Sequence, residues 1–136
     1  RGRMGAEREA DIEAGLEKGL REFNDGAFFE CHDTLGAVWM EVRGRERLFF
    51  QGLIQIAIGY YHLTCENYHG AEHLLSRGIQ KLEGFFPGQR GVDLTDLVGR
   101  ASQALAQALE VQSGKRTTHD PVTIPKIGRT GLAEGS

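Results

Sequence analysis

Cysteine, proline and excess charge of one sign are all scarce in this sequence. Cys31 and Cys65 are its only cysteines. Two are too few for a disulfide framework, and they make no Cys-x-x-Cys pair. Both are expected to be buried free thiols of a cytoplasmic protein. The net charge is −3, and no arginine- or lysine-rich stripe runs along the chain. That excludes the electrostatic footprint of nucleic-acid binding and a basic membrane-surface helix. No run approaches the roughly 18 apolar residues that span a bilayer. The longest, LIQIAIGYY over 53–61, already contains Gln55. The opening RGRMGAEREAD lacks an apolar signal-peptide segment, and Met4 reads as the start, with residues 1–3 an extension or remnant ahead of it. No Gly-x-Gly-x-x-Gly, Walker loop or Gly-x-Ser-x-Gly is present.

What is there is one domain's worth of helix. The 136 residues are 40% hydrophobic and 26% charged, enough to bury roughly two-thirds of the unfolded surface around one core. Apolar residues recur at helical spacing almost throughout. A first helix over 6–23 aligns Ile12, Leu16, Leu20 and Phe23, with Glu9, Glu13 and Glu17 facing water. Asn24-Asp25-Gly26 is turn chemistry. A second helix over 26–42 carries Phe28, His32, Leu35 and Trp39 on one stripe. The third, over 46–66, is apolar on nearly every side, as a central helix is. Asn67 is placed to cap a fourth helix over 68–84, and Asp93 a fifth over 94–112. Residues 85–91 form a loop with a Pro-Gly turn. Short connections predict an all-α fold of about five antiparallel helices over 5–112. Residues 113–136, rich in Gly and Thr and broken by two prolines, form an extended tail, either disordered or laid over the surface. Gly15, Gly19, Gly36, Gly52, Gly59 and Gly78 fall inside helices, where some permit close helix approach and others are merely tolerated.

The polar residues inside these apolar stripes carry the candidate chemistry. At about 100° per residue, His32 lies within the Phe28/Leu35/Trp39 stripe, Glu30 nearly opposite and Asp33 about a quarter-turn away. Glu30 falls in a first helical turn, where a carboxylate complements the helix dipole. On the third helix Gln51, Gln55 and His62 lie within about 40° of one another. Buried polar groups need partners, at about 1–3 kcal/mol each. If the second and third helices are antiparallel neighbours, His32, Gln55, His62 and Asp33 can share one buried network. Such a network would fix helix register. It could equally line a small-molecule or anion pocket with Trp39, the tyrosines and the glutamines, or hold a metal. His69 and His73, at i and i+4, are a weaker metal pair on a solvated face. No cofactor is called for, and a divalent metal is the minor alternative.

Two stretches, FNDGAFFECHDTLGAVW and RLFFQGLIQIAIGYYHLTCENYHGAEHLLSRGIQKLEGF, resemble a prokaryotic family known as domain of unknown function 309. The resemblance runs from about Phe23 to Phe86. The family's Phe-Asn-x-Gly, aromatic pair, Glu-x-His and Trp positions are met by Phe23, Asn24, Gly26, Phe28, Phe29, Glu30, His32 and Trp39. Its Gln-Gly-Leu-Ile-Gln segment falls on Gln51 to Gln55, and its Asn-x-x-Gly-Ala segment starts at Asn67. Three positions depart: Asp33 and Gly36 stand where glutamates are usual, and Glu66 where a glycine is usual. The resemblance implies a compact antiparallel helical fold and no particular activity. The expected function is a binding or interaction module for a protein or small molecule. The alternative is a metal-assisted or acid/base hydrolase-like enzyme using Glu30, His32, Asp33 and His62. Exposed Tyr60, Phe85 or Phe86 would supply a patch for a partner or a homo-oligomer.

Overall fold

A computed structural model describes residues 5–121 and 124–130. Met4 and residues 131–136 of the tail lie outside the described residues. The fold is all-α. Its helices are α1 (Gly5–Asn24), α2 (Phe28–Glu41), α3 (Glu46–Thr64), α4 (Tyr68–Leu82) and α5 (Leu94–Gln112). Between α4 and α5 lie a 3-10 turn, Glu83–Phe85, and a hairpin of β1 (Gly88–Gln89) and β2 (Val92–Asp93). The hairpin stands where the sequence predicts only a loop, because strands this short carry no alternation.

The helix ends follow from local chemistry. The side chain of Asn67 accepts from the Gly70 amide at 3.0 Å, and Asp93 accepts from the Asp96 amide at 3.1 Å. Both expected caps are therefore in place. At the end of α1, Gly26 takes φ +81° while the Ala27 amide bonds Glu22 O and the Gly26 amide bonds Phe23 O. That is a Schellman closure, which a glycine favours. The end of α3 closes the same way around Glu66, at φ +59°, with the Asn67 amide on His62 O and the Glu66 amide on Leu63 O.

Consecutive helices pack as antiparallel neighbours. A Cβ on Gly15 would strike Val38, and one on Gly19 would strike Leu35, so α1 and α2 run in opposite directions. Phe28 stacks on Tyr60 near one end of the α2–α3 pair, and Arg47 covers Trp39 at the other. α3 and α4 are the closest pair. They cross where a Cβ on Gly78 would lie 2.9 Å from Gly52 O, and Leu75 fills the notch at Gly59. Of Gly15, Gly19, Gly36, Gly52, Gly59 and Gly78, only Gly36 faces open space.

The core runs through all five helices and includes Leu16, Leu35, Phe49, Phe50, Ile56, Leu75, Leu82 and Leu97. α3 is central but is not buried all round. Leu48 and Tyr61 are exposed, and Gln51, Ile54, Gln55, Ile58 and His62 are half-buried. Residues 124–130 run back over the end of α1 and bridge to β2, and this buries Ile127. The glutamates of α1 do not simply face water. Arg90 pairs with Glu9, Glu13 and Glu46, and Arg129 pairs with Glu13 and Glu17. Both arginines are far away in sequence, beyond the reach of any local periodicity. No helix among the described residues is long and apolar enough to cross a membrane.

Candidate functional site

Two aromatic doublets organise the site, Phe28-Phe29 at the start of α2 and Tyr60-Tyr61 near the end of α3. Adjacent residues on a helix point about 100° apart, so each doublet sends one ring inward and one outward. Phe28 and Tyr60 go in, with centroids 5.9 Å apart and Phe23 edge-on to both. Tyr60 is fully buried, and that burial raises the pKa of its phenol. Phe29 and Tyr61 go out and meet 5.6 Å apart, with 51% and 38% of their surfaces exposed.

Histidines extend this outer pair on both sides. His32 stacks on Phe29 at 5.8 Å with the rings 18° from parallel. Its Nδ1 lies 3.1 Å from Asp33 Oδ1. His62 contacts Tyr61 at 5.9 Å, and Asn67 Nδ2 donates to His62 Nδ1 at 3.3 Å. A continuous surface ledge results, running His32, Phe29, Tyr61, His62, with exposed Glu30 and Asp33 beside it on α2.

The expected buried network is therefore not formed. The side chain of His32 is 40% exposed and bonds its own sequence neighbour. Gln55 accepts from Lys81 Nζ of α4 at 3.0 Å, and His62 turns to Asn67. The reason is the axis of the α2 core face. Its buried residues are Phe28, Cys31, Leu35 and Val38, and Cys31 with Val38 rotates that face away from His32. The other candidates disperse. Trp39 is half-buried beneath the Arg47 guanidinium, 3.7 Å from its ring centroid, a cation–π contact. Gln51 is half-buried further along α3. His69 and His73 are exposed on α4.

Two further expectations are corrected. Tyr60 and Phe85 are buried and offer no patch, while Phe86 is 46% exposed. Cys65 is exposed, because it follows the last turn of α3; Cys31 is the buried thiol. Burial and the nearby Glu22 charge push the Cys31 pKa up to about 12, which leaves it an inert packing group. Among the described residues no group of three or more His, Cys, Asp and Glu side chains is placed to hold a metal ion. Phe29 and Tyr61 were passed over individually in the sequence. The signal for them was the doubling of each aromatic at a helix edge.

Residues 16–74, which run from α1 into α4 and contain the whole ledge, match the family model described as Domain of unknown function (DUF309). Over 57 residues the chain is 35% identical to the Uncharacterized protein YpuF of Bacillus subtilis (strain 168), a stretch covering 41% of this chain and 33% of that relative. The match thus spans about a third of the relative's length.

Proposed function

We propose that the chain, whose residues 16–74 match the DUF309 family model, is a protein-interaction module which docks its partner on the α2–α3 ledge. The observation that carries this reading is the outward-facing Phe29–Tyr61 pair, more exposed than large rings in a folded core ordinarily are. Rigid aromatics with few rotamers lose little entropy on binding, and such side chains anchor protein interfaces. His32, His62, Glu30 and Asp33 provide the polar rim around them. The His32–Asp33 pair has the form of an oriented acid–base couple, but the nearest thiol, Cys31, is buried and protonated.

Affinity purification with the wild-type chain, the Phe29→Ala/Tyr61→Ala chain and a Leu109→Ala control tests the reading. Proteins retained by the first and third but not the second are then titrated in purified form. Binding at least tenfold weaker to the double variant is expected. Equal binding to both chains would remove the ledge as the docking site. Hydrolysis of a generic ester or phosphate that His32→Ala abolishes would replace this reading with the enzymatic one.

A further inference from the structure

We infer that the seam between the α1–α2 turn and the β-hairpin is a peptide-binding groove, filled here by the chain's own residues 124–130, which accepts an extended basic segment of a partner protein in the same way. The inference concerns a different surface from the ledge, so either reading can fail alone.

The groove reads backbone. Asn24 Oδ1 accepts from the Ile127 amide at 2.6 Å while Asn24 Nδ2 donates to Ile127 O at 3.1 Å. One side chain therefore satisfies both polar groups of an extended residue, as a neighbouring strand would. The hairpin continues the ladder: the Asp93 amide donates to Gly128 O at 3.1 Å, and the Thr130 amide donates to Gly91 O at 2.7 Å. A close approach is required there, since a Cβ on Gly91 would lie 2.6 Å from Thr130 O. Main-chain pairing of this kind gives affinity with little demand on sequence, and pockets for particular side chains add selectivity.

The side-chain anchors define what fits. Pro125 and Ile127 are buried. Beside them a groove of about 590 Å³ lies between Phe23, Gly26, Phe28 and Thr64 on one side and the segment's own Ile124, Pro125 and Lys126 on the other. Arg129 reaches between Glu13 and Glu17, and its Nε donates to Arg90 O at 2.9 Å. Lys126 Nζ donates to Asn24 O at 2.6 Å. The matching ligand is an extended apolar-Pro-Lys-apolar-Gly-Arg segment whose arginine meets the acidic face of α1 and whose lysine meets the carbonyl at its C-terminal end. The helical side of the wall, including Asn24 and Glu17, lies within residues 16–74, the stretch that matches the family, while Glu13, the hairpin and the segment that fills the groove lie outside. A tethered occupant acts at an effective concentration of about millimolar order, so a partner segment competes best when the internal one is weakened.

The test is a fluorescence-anisotropy titration of a labelled IPKIGRT peptide, the sequence of residues 124–130. The peptide is added to the full-length wild type, to Ile127→Asp/Arg129→Glu, and to that variant carrying Asn24→Ala as well. Binding to the double variant at least tenfold tighter than to wild type is expected, lost again with Asn24→Ala. A peptide with Glu in place of its Arg should not bind. No binding to any chain, equal binding to wild type and double variant, or indifference to Asn24→Ala overturns the groove. A peptide-competed dimer in light scattering overturns the partner in favour of a second copy. If the double variant melts out, hydrogen exchange on the wild type decides. The Ile127 and Thr130 amides should exchange at least a hundredfold faster than that of Ile56. Equal protection means that the segment leaves only on global unfolding, and the groove is then not exchangeable.

Discussion

Glu66 carries local backbone strain with a readable cause. It sits at φ +59° where α3 turns toward α4, a conformation that costs an L-residue about 1–2 kcal/mol more than the right-handed one. The resemblance to the family already marked this position as one where glycine is usual, and the backbone supplies the reason. Glu66→Gly is expected to stabilise the protein by about 0.5–1 kcal/mol, the relief being partly offset by a freer unfolded chain. Chemical denaturation at neutral pH measures it; a destabilised variant would show that the Glu66 side chain contributes more than its backbone costs. His32 shows the opposite case. Taken with Phe28, Leu35 and Trp39 alone it falls on the core stripe. With Cys31 and Val38 included, the centre of the buried face moves to about 80° from it at 100° per residue. The information was present in the sequence, but two small apolar residues outweighed one tryptophan in setting the axis. Trp39 itself sits at the edge beneath Arg47, and no wheel reports that.

Among the elements, the α3–α4 pair is decided by its smallest residues. Gly52 and Gly78 let the two backbones touch, and Leu75 and Leu82 settle into the notches on α3. Gly78→Ala should cost about 1–3 kcal/mol, because the added carbon meets the Gly52 carbonyl, which cannot move aside, as well as the Ile56 side chain. Gly36→Ala is the internal control. It lies in the body of α2 with open space beyond it, so the substitution should stabilise by about 0.5–1 kcal/mol. Thermal melts of the pair should therefore move in opposite directions. Helices, caps and the stripe on α1 were legible from spacing alone, since a 3.6-residue period and an N-cap side chain act within a few residues. Which glycines were contacts and which were merely tolerated was not legible, because a glycine in a helix has the same local signature whether or not a second helix lies against it.

Across the whole molecule, ion pairs tie the hairpin and the C-terminal segment to the helices. Arg90, donated by the hairpin turn, joins α1 to α3 through Glu9, Glu13 and Glu46. Its hydrogen bond to Glu46 is the main cause that holds that carboxyl below its ordinary value of 4.5, with help from Gln89 and against the opposing effect of burial. A carboxyl whose folded pKa is depressed stabilises the fold fully above its unfolded value, and that contribution is lost as pH falls through the folded one. Stability should therefore decline as pH drops below the usual carboxylate range. Glu46→Gln should be less stable at neutral pH and show a shallower loss on acidification. Urea midpoints at pH 7 and pH 3 check this, and parallel pH profiles for the two chains would refute it.

The sequence by itself determined that this chain is helical, where each helix lies to within about two residues, and which residues of α1 form the core. Those outcomes depend on neighbours three or four positions apart. Only the tertiary structure decided that Phe29 and Tyr61 meet on the surface while Phe28 and Tyr60 meet inside. It also decided that His32, Gln55 and His62 bond separate partners, and that Asn24 holds a residue 103 positions away. The physical reason is that hydrogen bonds and ring contacts act over a few ångströms in space. Separation along the chain places no limit on them once the helices have packed.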